Sequence, residues 1–144
     1  MLKEQNKALL RQYVTEVWDN QNLAAIDQFL AANYRRHRGL AGAPLTLEEQ
    51  KQRLADFRAA VPDAELSLED IVADGDRVAF RSTIRGTHRG EFLGIAPSGR
   101  KVTVALLDII RIEDGKFVEQ WGGPDMLSLL QQLGALVSAQ VGRK

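Results

Sequence analysis

Two twelve-residue segments in the second half of the chain, "RVAFRSTIRGTH" and "KVTVALLDIIRI", alternate inward and outward residues almost without a break. Side chains on a strand point to opposite faces in turn, so each segment has one face that must be covered. In the first, Val78, Phe80, Ser82, Ile84 and His88 share a face, and Arg77, Arg81 and Arg85 share the other. In the second, Val102, Val104, Leu106, Asp108, Ile110 and Ile112 fall together. The cover is supplied earlier. "KALLRQYVTEVWDN" places Leu10, Tyr13, Val14, Val17 and Trp18 on one helical stripe. "NLAAIDQFLAAN" predicts a second short helix. "TLEEQKQRLADFRAAVPD" predicts a third, opened by Thr46 and Glu49 in capping-box spacing and stopped at Pro62. Helices first and antiparallel strands later give an α+β domain.

At 144 residues, one domain spanning 1–144 is expected, large enough for a proper core. The formal net charge is zero, so no electrostatic feature points to nucleic acid or an anionic membrane as partner. No cysteine is present, which excludes thiol catalysis and thiolate metal sites. With two histidines, no multi-histidine metal site is expected. No stretch approaches the roughly 20 apolar residues of a membrane span, and the N-terminus lacks a signal-peptide pattern, so the chain reads as cytoplasmic.

Two residues interrupt the apolar strand faces. Asp108 sits among aliphatic neighbours. It is either tied down by a structural hydrogen bond or ion pair, released to water by a bulge, or a carboxylate whose pKa is raised by burial and serves as a general acid or base. His88 closes its strand on the same face. It is either a strand-end residue without a task or a pocket group able to move a proton. The last hairpin decides what joins Asp108. A two-residue turn at Asp114-Gly115 with no bulge pairs Asp108 with Trp121. A three-residue loop with Gly115 left-handed and a bulge pairs Ile112 with Val118, Ile110 with Gln120, and Asp108 with Gly122. The second register is favoured because it keeps Glu119 off the face that holds Ile110. Pro124 precedes a last helix, "DMLSLLQQLG", with Asp125 as its N-cap and Gly134 as its C-terminal cap.

The words "PDAELSLEDIVADGDRVAFRSTIRGTHRGEFLGIAPSGRKV" and "DIIRIEDGKFVEQWGGPDMLSLLQQLG", with the early "NYRRH", resemble the SnoaL-like polyketide cyclase and ester cyclase family of the nuclear-transport-factor-2-like superfamily. The resemblance implies a cone-shaped fold of three N-terminal helices on a curved, mostly antiparallel sheet, with a short C-terminal helix. It implies a small hydrophobic ligand and intramolecular aldol ring closure by acid/base chemistry, without metal or cofactor. The cyclases' catalytic Asp falls at Gly122, a histidine at Gln120, and a further pocket histidine at Asp108. The chain departs from the pattern at all three.

The expected pocket is lined by Trp18, Phe57, Phe80, Leu106 and Ile110, with Asp108, His88 and Gln120 as its polar groups and His37 as a further ligand contact. Asp108 and His88 are the candidates for catalysis, since no other group on that face moves a proton near neutral pH. A related isomerase or epoxide hydrolase, and a binding module without catalysis, remain as alternatives. Ala79, Thr83, Ala105, Leu107, Ile109 and Trp121 leave the outer sheet face apolar, so a homodimer through that face is expected, with Trp121 as anchor.

Overall fold

A computed structural model of the chain describes residues 2–135. Helix α1 (Leu2–Tyr13) runs directly into a π-helical turn over Val14–Asp19. This buries Leu10, Val14, Val17 and Trp18, the stripe that periodicity picks out. The second predicted helix is shorter than its pattern suggests. A 3₁₀ turn (Leu23–Ala25) and one α-turn, α2 (Ile26–Phe29), lead straight into strand β1 (Leu30–Arg36). Alternation then replaces helical spacing: Leu30, Tyr34 and Arg36 are buried, while Arg35 and Asn33 face out. Strand β2 (Leu45–Thr46) pairs with β1 and feeds α3 (Leu47–Ala60). The capping box forms as its spacing predicts, with Glu49 N donating to Thr46 Oγ1 at 3.3 Å and Thr46 N to Glu49 Oε1 at 2.9 Å.

Four long strands follow: β3 (Glu65–Asp74), β4 (Arg77–Thr87), β5 (Lys101–Glu113) and β6 (Lys116–Pro124). With β1 and β2 they make one open six-stranded sheet in the order β2-β1-β6-β5-β4-β3. Among the described residues, only the β1–β6 pair is parallel. The fold is the α+β cone that the resemblance implies, with helices on the concave face. Helix α4 (Met126–Gln132) closes the end of the cone. Asp125 caps its N-terminus by accepting from Ser128 N at 3.1 Å. Gly134 (φ +78°) ends it in a Schellman motif: Gly134 N donates to Gln131 O and Ala135 N to Leu130 O.

The last hairpin reaches the favoured register by a different route. Glu113 pairs with Lys116, so the turn has two central residues, Asp114 (φ +52°) and Gly115 (φ +74°), as in a type I′ turn. The extra residue enters one step later, between Arg111 and Ile112, and Ile112 pairs with Phe117 rather than Val118. Both Phe117 and Val118 are buried, so the bulge lets two consecutive apolar residues leave water. Beyond it, Ile110 pairs with Gln120 and Asp108 with Gly122.

Candidate functional site

The concave face of the sheet, α3, α4 and the π-helical turn enclose a cavity of about 110 Å³. Its wall is mostly apolar. Trp18 and Phe57 pack with ring centroids 6.4 Å apart, and Phe92 meets Phe57 edge-on at 5.8 Å. Phe80 and Leu106 line the sheet side. Phe92 comes from the "EFLGIAPSG" loop, whose Leu93 remains exposed, so this loop contributes to the pocket rim.

At the sheet wall lies a buried polar network. Asp108 is 2% exposed. Its Oδ1 accepts from Arg36 Nη2 at 3.2 Å and from Gln120 Nε2 at 3.0 Å. Tyr34 Oη donates to Gln120 Oε1 at 2.6 Å, which fixes the amide so that its nitrogen faces Asp108. Arg36 Nη2 also donates to Gly122 O at 2.8 Å. Both bonds to Asp108 fall on Oδ1, so Oδ2 has no protein partner among the described residues. Burial pushes the Asp108 carboxyl above its ordinary range, against the opposing pull of Arg36 and the Gln120 hydrogen bond. Burial likewise pushes the Tyr13 phenol up to about 12 and raises Tyr34, so both stay protonated at neutral pH.

Trp18, Phe57, Phe80, Leu106, Asp108 and Gln120 therefore meet in one cavity. Three expected members do not. Ile110 belongs to the sealed core with Leu10, Val78 and Phe117. His37 follows β1 on the outer side, stacked on Trp121 at 5.0 Å, with Nε2 2.8 Å from Glu119 Oε2. The parity of β1 puts Tyr34 and Arg36 inward and sends His37 outward. His88 is fully buried but is not part of the cavity wall and does not pair with Asp108. Regular alternation ends at Thr87, whose N and Oγ1 both donate to Asp63, and the His88 ring turns toward the following loop. Ser98 N and Ser98 Oγ lie 3.2 and 2.9 Å from its Nδ1. Because the Ser98 backbone N–H can only donate, Nδ1 is the acceptor, and Nε2 is buried without a hydrogen-bond partner among the described residues.

Sequence reasoning missed Arg36, Gln50 and Arg53. Their signals were present: Tyr34 and Arg36 share a strand face, and Gln50 and Arg53 extend the inward stripe of Leu54 and Phe57 on α3. Arg36 and Gln50 are 4% and 3% exposed, respectively. Gly122 is explained by its backbone. Its φ is +92°, and a side-chain carbon there would lie 2.1 Å from Leu107 O. An aspartate cannot stand at this position without moving the strand; the carboxylate on this wall is Asp108, on β5. Among the described residues, no group of three or more His, Cys, Asp or Glu side chains is placed to hold a metal ion. No helix among them is long and apolar enough to cross a membrane.

The family model for SnoaL-like polyketide cyclases matches residues 8–133. The chain belongs to the SnoaL-like polyketide cyclase family. Similar solved structures agree. AclR from Streptomyces galilaeus, named as a candidate hydroxylase, is 31% identical over 94% of this chain and 88% of its own, with a TM-score of 0.85. TsrD from Streptomyces laurentii is 32% identical over 92% and 97%, with a TM-score of 0.80. IdmH from Streptomyces antibioticus, named as a candidate polyketide cyclase, is 31% identical over 90% and 99%, with a TM-score of 0.77. A search of curated proteins gave no significant match.

Proposed function

We propose that this SnoaL-like chain binds a small, largely apolar carbonyl compound in the cone and uses Asp108 as a general base, in a reaction such as intramolecular aldol closure. The observation that carries the reading is a carboxylate buried on the wall of an apolar cavity, held through one oxygen, with the other unpartnered among the described residues. In the reaction, Asp108 Oδ2 takes a proton from carbon beside a carbonyl. The enolate carbon adds to a second carbonyl carbon, and the resulting alkoxide recovers the proton. Burial raises the carboxyl and so makes it a stronger base once ionised, while the Arg36 charge pulls the other way and favours the ionised form.

Exchange of the α-protons of 2-tetralone, a bicyclic aromatic ketone, into deuterated water tests this. The wild type should accelerate exchange, and Asp108→Asn should slow it by about 100-fold. Equal exchange by both would remove Asp108 as the base. The Arg36–Asp108 ion pair favours a second reading, in which the carboxylate only orients Arg36 in a binding module. That reading expects 2-tetralone to bind without any accelerated exchange.

We also propose a homodimer through the outer sheet face. Leu107 and Ile109 are 67% and 42% exposed there. Trp121 is partly covered, between the His37 ring and the Arg77 guanidinium at 5.1 Å, which makes Leu107 the better anchor. Leu107→Asp should convert a dimer to a 16.0 kDa species in light scattering. A wild type that is already monomeric at micromolar concentration would remove the proposal.

A further inference from the structure

The charges of the cavity wall do not balance. Among the described residues, the wall carries two guanidinium groups, Arg36 and Arg53, and one carboxylate, Asp108. Asp108 is already engaged by Arg36. Arg53 has no carboxylate partner among the described residues. Its side-chain hydrogen bond runs from Nη1 to Oε1 of the buried Gln50 at 3.3 Å, a neutral acceptor that orients the guanidinium without offsetting its charge. Tyr13 and Tyr34 cannot supply a negative charge, since both phenols are raised by burial.

The two guanidiniums also converge. A side-chain carbon built on Gly123 would lie 2.4 Å from Arg36 Nη2 and 3.9 Å from Arg53 Nη2, so both heads reach the same end of the cavity. Burial, followed by the nearby Arg36 charge, lowers the Arg53 pKa. Arginine remains charged in proteins even so, and an uncompensated charge at an apolar wall is costly unless a partner arrives. A planar guanidinium is well matched to a carboxylate, which can accept two parallel N–H bonds.

We propose that the ligand of this cavity carries a carboxylate and that Arg53 receives it, with the apolar part of the ligand lying against Trp18, Phe57 and Leu106. This deepens the proposed function and rests on it: the carbonyl compound that enters the cone is an acid. The carboxylate end then sits by α3, at the same end of the cavity as the Arg36–Asp108 pair, and the carbon skeleton extends from there past Asp108 on the sheet. Recognition and base catalysis are thereby assigned to separate groups. The charge of Arg53 also offsets the repulsion that Asp108 would otherwise exert on an anionic ligand.

The test is calorimetric titration of 2-naphthoate against its neutral isostere 2-naphthamide. The wild type should bind the acid at least about tenfold more tightly, the scale of a charge-assisted pair. Arg53→Gln should abolish that preference while still binding the amide. Arg53→Lys, which keeps the charge, should retain most of it. Arg81→Gln, on the outer face, should change neither affinity. Amide binding by each variant checks that the cavity is intact. Equal wild-type affinity for acid and amide would overturn the proposal and leave the apolar-pocket reading standing. So would an acid preference that survives Arg53→Gln. Binding of neither probe by the wild type would overturn both.

Discussion

Arg36→Met isolates the ion pair on which the site depends. Arg36 Nη2 and Asp108 Oδ1 are 3.2 Å apart, with side chains 5% and 2% exposed, so solvent screens them little. At that distance two unit charges attract by about 5 kcal/mol at an effective dielectric constant of about 20. Much of this only offsets the desolvation of the two ions. Removing one partner, however, leaves the other buried and unpaired, which costs about 3–5 kcal/mol. Methionine keeps most of the apolar stem, so the cost reports the lost charge and the lost bond to Gly122 O rather than a cavity. The Asp108 carboxyl is already raised by burial, and losing the cation raises it further. A folded-state pKa above the unfolded one means that the native state holds its proton more tightly. Stability is then fully retained below the unfolded value of about 3.9 and falls as pH rises through the window up to the folded value. Urea unfolding should therefore show the full penalty at pH 7 and a smaller one at pH 5. Asp108→Asn added to Arg36→Met should restore stability at pH 7, because no charge is left stranded. A penalty below about 1 kcal/mol at pH 7, or the same penalty at both pH values, would refute the reasoning.

Other expectations follow from the same geometry. The acid limb of 2-tetralone exchange should lie above the ordinary aspartate range, because the base must be ionised and burial raises its pKa; Arg36→Met should move it higher still, and a pH–rate profile reads both. Gly122→Ala should lose about 2 kcal/mol or more in urea unfolding, since the positive φ and the approach of Leu107 O both oppose a side chain. His88→Ala should destabilise by about 2–4 kcal/mol, as a fully buried ring is deleted and its bond to Ser98 lost, while the acid limb of exchange stays in place. A shift of that limb would return His88 to the proton-transfer machinery.

The local signals were strong where one physical rule acts alone. Period-2 alternation placed β4 and β5, the Thr46–Glu49 spacing placed the start of α3, and Gly134 placed the end of α4. The same rules placed Trp18, Phe57, Phe80, Leu106, Asp108 and Gln120 around one cavity. They failed where two local tendencies competed. "DQFLAANYRR" satisfies helical spacing for a turn before strand pairing with β6 captures it from Leu30 onward. That switch decides which side of the sheet Arg36 and His37 take, and so which of them reaches the pocket. The bulge at Val118 could not be located from the turn residues, because its position depends on which apolar side chains the assembled core accepts. The partner of Asp108 was hidden for a related reason. Arg36 lies 72 residues away in sequence, and only the parallel packing of β1 on β6 brings it to the carboxylate. The sequence by itself determined that an acid would be buried on an apolar strand face. The tertiary structure alone decided that a buried arginine pairs with it and that His88 turns to the loop beside Ser98, because long-range pairing, not local pattern, sets which polar groups meet out of water.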